Sequence, residues 1–167
     1  MGTDQATRRR TRRLAIVLAS AAVLATGASL PTAYATGGET NDGRGKNRLA
    51  ASLTGAKEVP GPGDPDGRGK ARIQLKKDQV CFELSWRNIA APIAAHIHVG
   101  SRSEAGDIVI HLLGVPAGLG APVSSVGGCT SADPALIAKI RNNPRAYYVN
   151  IHNVPFPAGA IRGQLHR

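Results

Sequence analysis

Aromatic side chains are scarce in this chain: two Phe, one Trp and three Tyr among 167 residues. Single-stranded nucleic acids are gripped by aromatic platforms set in basic grooves, and the sequence offers neither, so nucleic-acid binding is not expected. Cysteine is nearly absent as well. Cys81 and Cys129 are the only two, which excludes a Cys-x-x-C redox centre and a cysteine-rich zinc site. Signatures of nucleophilic or acid-base catalysis are also missing. Ser85, Ser101 and Ser103 lack an elbow motif, the glycine-rich stretch 61–69 opens no helix, and no carboxylate pair shares a strand face. The composition therefore leans away from an enzyme.

What is present begins with an address. Arginines crowd positions 8–13, an apolar run of about 17 residues follows, and small residues lead to Ala33-Tyr34-Ala35. Charged, apolar and small-residue regions in that order predict a secretory signal over 1–35, cleaved after Ala35. Thr26, Gly27 and Pro31 interrupt the run, which is shorter than the ~20 residues a membrane span needs. The mature form is expected to be extracellular and without a transmembrane anchor. Arg12-Arg13 leaves both the general and the twin-arginine export routes open. Of 21 Lys+Arg and 11 Asp+Glu, the signal takes five arginines and Asp4, leaving 16 basic against 10 acidic residues scattered along the mature chain. That balance permits weak attraction to anionic wall polymers or lipids and marks no dedicated basic surface.

An oxidising compartment favours pairing the two cysteines, and two cysteines allow one intramolecular connectivity. A Cys81–Cys129 bond closing a loop of about 49 residues would stabilise the fold by roughly 4 kcal/mol in the chain-entropy account.

Residues 36–48, TGGETNDGRGKNR, are polar and glycine-rich and predict a flexible linker, with one folded domain over 49–167. Within it, Gly and Pro punctuate short stretches in which apolar residues alternate. A strand is expected over 72–75, then a turn at Lys76-Lys77-Asp78, then a strand with Val80, Phe82, Leu84 and Trp86 on one face. Residues 61–69 hold two aspartates but lack the glutamate and flanking helices of a calcium loop, so they read as a turn. One helix is expected, capped by Asp133, started by Pro134 and stopped at Asn142-Asn143-Pro144, with Leu136, Ile137 and Ile140 on one side. Strands over 146–153 and 160–166 follow. The fold class is all-β, an antiparallel β-sandwich or barrel of about seven or eight strands with one short helix.

Alternation also places the chemistry. In AAHIHVG, residues 94–100, His96 and His98 share one side of a strand while Ala95, Ile97 and Val99 face the core. The same rule sets Tyr148, Asn150 and His152 opposite Tyr147, Val149 and Ile151. It sets His111 opposite an inward Ile108 and Ile110, and Arg162, Gln164 and His166 opposite Ile161 and Leu165. Imidazoles two apart on a strand stand roughly 6–7 Å apart, close enough to converge on one ion with a third ligand from a neighbour. His96, His98 and His152 are the candidate metal ligands, with His111 next in line. Three neutral imidazoles suit copper or zinc. The same histidines on a solvated face, or bonded to loop carbonyls, would be a purely structural set.

The segments LTGAKEVP, GDPDGRGKARIQL, VCFEL, AAHIHVG, GDIVIHL, a lone GC and NPRAYYVNIHNVPFPAGAIRGQL together resemble the CHRD domain over 49–165. The pairing of AHIHVG with YYVNIHNVPFPAGAIRGQL carries most of that likeness. It implies an extracellular β-sandwich-like module and brings no defined activity. Family positions fall on His96, His98, Asn150, His152, Gly159, Arg162, Gly163 and Gln164; Phe82 departs from the tryptophan of many relatives. Chordin's repeats and cysteine-rich modules are missing, so growth-factor antagonism does not carry over. A more distant similarity to copper/zinc superoxide dismutases rests on fold and one H-x-H, without their histidine-rich zinc loop. Three readings stand. The first is an exported non-enzymatic module holding copper or zinc on His96, His98 and His152, with Asn150, Arg162 and Gln164 orienting the rings. The second is a structural or adhesive module whose same residues form a hydrogen-bond network, with an extracellular protein or cell-wall partner. The third is an oxidoreductase using the bound ion.

Overall fold

Period-two alternation is cleanest where it meets the turn Lys76-Lys77-Asp78, and there it builds the hairpin of β2 (Arg68–Leu75) and β3 (Gln79–Arg87). The computed structural model describes residues 45–115, 118–119 and 123–167; the signal expected over 1–35 and most of the linker over 36–48 lie outside the described residues. Val80, Phe82, Leu84 and Trp86 are all buried, as alternation requires, and Lys76 N–H donates to Gln79 O at 2.9 Å to close the turn. β2 begins four residues before the expected strand because Arg68, Gly69 and Lys70 extend the ladder against β1 (Arg48–Thr54). Of the stretch 61–69, residues 61–67 form the expected turn and 68–69 already belong to β2; Asp64 Oδ1 accepts from Gly67 N–H at 3.1 Å, which occupies the carboxylate locally.

Eight antiparallel strands form one sheet in the order β5-β4-β7-β8-β1-β2-β3-β6, with β4 Pro92–Val99, β5 Ile108–Gly114, β6 Ser125–Ser131, β7 Tyr147–Asn153 and β8 Ile161–Gln164. The sheet curls into a nearly closed barrel in which β5 and β6 come near one another. Leu53, Ile73, Ile97, Val149, Ile151 and Ile161 lie in one buried cluster. The helix α1 (Pro134–Asn142) starts where expected, with Asp133 Oδ1 accepting from Ala135 N–H at 2.8 Å. Ile137 and Ile140 enter the same cluster fully buried, each worth about 1.5–3 kcal/mol by area. No helix among the described residues is long and apolar enough to cross a membrane.

Cys81 and Cys129 are bonded, and they are opposite residues of the β3–β6 ladder. β6 itself buries little: five of its seven residues are exposed, and Gly127 and Gly128 face Glu83 and Phe82. The disulfide therefore holds a strand that packing alone holds weakly.

Two inward assignments are corrected. Ile108, expected in the core, is 42% exposed, because the β4–β5 ladder carries a bulge: Ile97 pairs with Ile110 while His98 pairs with Ile108. The extra residue turns Ile108 to the histidine side of the sheet. Val99, at the end of β4, is 38% exposed, since the chain leaves the sheet there.

Candidate metal centre

Register explains how residues distant in sequence meet. β4 lies between β5 and β7; His96 stands opposite His111 on one side and Asn150 on the other, while His98 stands opposite Tyr148. His152 is opposite Ala94, hence a diagonal neighbour of His96 on the same face, within reach of a long side chain. The ring nitrogens of His96, His98 and His152 that face each other lie within 4.8 Å of one another. His96 Nδ1 is 3.2 Å from His152 Nε2, close to the ~3.3–3.4 Å edge of a tetrahedron with bonds of 2.0–2.1 Å.

The solvated histidine face is not what forms. His96, His98 and His152 are each more than nine-tenths buried, although they point away from the apolar core. Loops cover them. Residues 101–107 fold back on the end of β4, so tightly at Gly106 that a Cβ there would overlap Val99 O; Gly106 O reaches His98 Nδ1 at 2.9 Å. Residues 155–159 close the other end, where Pro157 O lies 3.0 Å from His152 Nδ1. β7 is consequently buried on both faces. His111 is exposed, its ring perpendicular to that of His96 at 4.8 Å between centroids, at the open side of the cluster.

Those carbonyls determine the tautomers. A carbonyl only accepts, so Nδ1 of His98 and of His152 must carry hydrogen, and each neutral ring presents the bare Nε2 lone pair. His152 Nε2 receives Nδ1–H of His96. His98 Nε2 is buried and bonds nothing among the described residues. Burial, followed by the neighbouring imidazoles His152, His111 and His98, pushes His96 down to about 4. Burial also lowers His98 and His152, against the opposing pull of their carbonyl bonds. All three rings are neutral at pH 7, the protonation state that ligates a metal.

Asn150, Arg162 and Gln164 lie on the same face but bond elsewhere. Asn150 Nδ2 donates to Glu58 Oε2 at 3.2 Å, Arg162 Nη2 donates to Ser101 O at 2.6 Å, and Gln164 Nε2 donates to Gly100 O and Arg145 O at 2.7 Å. Arg162 thus anchors the 101–107 loop that supplies Gly106 O, and Gln164 holds Gly100 just before it. Tyr148 completes the support. Its ring stacks on His98 at 4.8 Å and carries the Arg162 guanidinium 3.4 Å from its centroid, while its hydroxyl accepts from Gly106 N–H at 3.2 Å. Sequence reasoning missed Glu58 and the use of Tyr148. Tyr148 carried a signal, two residues before Asn150 on the same face; Glu58 had none, because its contact depends on a turn. Gly159 belongs to that contact: it has φ +152°, and a Cβ would sit 2.5 Å from Glu58 Oε2. Burial raises Glu58 to about 7, with Arg162 and Asn150 pulling the other way.

Fold and site together define a disulfide-bonded antiparallel β-barrel with a buried cluster of three imidazoles roofed by loops. The chain belongs to the CHRD domain family, whose model matches residues 49–165. Searches among curated proteins and among solved structures each found no match.

Proposed function

We propose that this CHRD protein is an exported, non-enzymatic module that binds one copper or zinc ion through His96, His98 and His152. The observation that carries the reading is His98 Nε2, a buried acceptor with no partner among the described residues, on a ring whose nitrogen lies within 4.8 Å of those of two further imidazoles. An orphaned buried nitrogen costs about 1–3 kcal/mol, and an ion would remove that cost. The borderline-soft nitrogen set favours zinc or copper over calcium or magnesium. The disulfide and the extracellular character of the family support export. Elemental analysis of the purified chain, then calorimetric titration with copper and zinc, tests the proposal: one tight equivalent is expected, lost in His96→Ala and in His98→Ala. Binding that survives either substitution would overturn it.

A structural reading has its own observation, the bonds from Arg162 and Gln164 to Ser101 O and Gly100 O. On that reading the polar face is a network that holds loops, and the partner is an extracellular protein or wall component. It predicts that no metal binds and that His98→Ala lowers stability equally with and without chelator.

A further inference from the structure

The regular ladder between β1 and β8 is short: Thr54 pairs with Arg162, and the next contact is the isolated bridge from Ala50 to His166. A cavity of about 360 Å³ lies along this seam, lined by Ser52, Lys57, Glu58, Arg102, Arg162 and Gln164 among others. Its volume falls in the range of small-molecule sites. Arg162 is only 2% exposed, yet no carboxylate of the described residues lies within ion-pair distance of it; their recorded ion pair is the surface contact Arg72–Glu83. One guanidinium nitrogen donates to Ser101 O and the Tyr148 ring covers one face. The other nitrogens bond no acceptor among the described residues and belong to a side chain that lines the cavity. Glu58 and Glu104 act on it only from beyond ion-pair distance, and a buried guanidinium without a directly bonded carboxylate is costly unless something supplies one.

Two more cations share the rim. Lys57 and Arg102 are exposed residues from different segments, the turn after β1 and the loop after β4. They stand near enough for Arg102 to add to the effect of burial in lowering Lys57. Lys57 Nζ is held by Ser52 O on the cavity wall. Against these three positive groups the cavity sets Glu58 and His166.

We propose that this cavity is a second site, which binds a small oxyanion group, carboxylate or phosphate, on Arg162 with Lys57 and Arg102 at the rim. The planar guanidinium takes such groups in a two-bond fork, while the rim cations add attraction without fixed geometry. The site shares the polar face with the histidines but none of its charged groups is one of those ligands, so the inference does not rest on the metal reading.

The test is calorimetric titration of the metal-free full chain with inorganic phosphate and, separately, with succinate, at low ionic strength. Saturable one-site binding of either is expected. Phosphate alone would assign the site to phosphorylated ligands, and succinate alone to carboxylates. Because Arg162→Ala also releases the 101–107 loop, the decisive variant is Lys57→Ala with Arg102→Ala, checked for an unchanged circular dichroism spectrum. It should weaken binding about tenfold or more, which is about 1.4 kcal/mol. No binding of either anion at about 10 mM, beyond the roughly millimolar range expected of a weak small-ligand site, or parent-like affinity in the double variant, would overturn the proposal.

Discussion

Replacing His98 with phenylalanine separates the metal from the architecture. The ring stacked on Tyr148 at 4.8 Å and 6° is kept, but both nitrogens go. Losing Nε2 removes a buried orphan, a gain of about 1–3 kcal/mol; losing the Nδ1–H bond to Gly106 O costs about 1 kcal/mol and exposes that carbonyl to a similar penalty. The penalty is softened because Tyr148 Oη remains 3.4 Å from the same oxygen. A six-membered ring in the place of a five-membered one adds about 1 kcal/mol of crowding. In chelator these contributions nearly cancel, so His98→Phe should melt within about 5 °C of the parent. With free zinc at about 100 times the dissociation constant, the parent gains about 2.7 kcal/mol, or about 10 °C for a domain of this size. The variant should gain almost none of this. Thermal unfolding followed by circular dichroism, with and without zinc, reads both numbers. A full zinc-dependent shift in His98→Phe would refute the role given to Nε2, and a variant unfolded in chelator would refute the account of cancelling contributions.

Cys81→Ala with Cys129→Ala releases a cross-link between residues 48 apart and should lower stability by about 4 kcal/mol in denaturant titrations; a loss below about 1 kcal/mol would contradict the estimate. Gly159→Ala forces a Cβ into the Glu58–Asn150 contact at a φ of +152° and should cost about 1–3 kcal/mol by the same measurement, with parent-like stability as the refuting result. In chelator, stability should fall as the pH drops from 6.5 toward 4, because unfolded His96 is protonated across that window and the native residue, pushed down to about 4, is not. His98 and His152 act in the same direction. Glu58, raised from 4.5 to about 7, works against them: its contribution is fully present below 4.5 and is lost as the pH rises from there through 7, which flattens the acid fall. Glu58→Gln should remove this opposing contribution and so steepen the fall in stability from pH 7 toward 4.5; melting temperatures at closely spaced pH values would show an unchanged profile if this assignment is wrong.

Strand alternation made the sharing of one face by His96 and His98, and by Asn150 and His152, legible in the sequence, since it depends only on local geometry. The helix was legible for the same reason: Asp133, Pro134 and Pro144 act within a turn of where they stand. What alternation does not carry is the third dimension. Burial of the histidines depends on where loops 101–107 and 155–159 return, and those paths are set by Arg162, Gln164 and Gly106 across sequence separations that pattern does not register. The bulge that exposes Ile108 is likewise a property of two strands together. Glu58 escaped notice because it is one carboxylate in an ordinary turn, and only the seam between β1 and β8 brings it beside Asn150 and Arg162.

The bond between Cys81 and Cys129 also bears on how copies of this chain meet one another. Because β6 buries so little of itself and ends the strand order, it detaches at lower cost than the strands that fill the core. It would leave β3 with a bare row of amides and carbonyls, a template for a strand from a second molecule. A covalent link between opposite residues of the two strands keeps that row covered even while β6 frays. In a reducing medium the first failure should accordingly be strand exchange and self-association at concentrations where the barrel itself still stands.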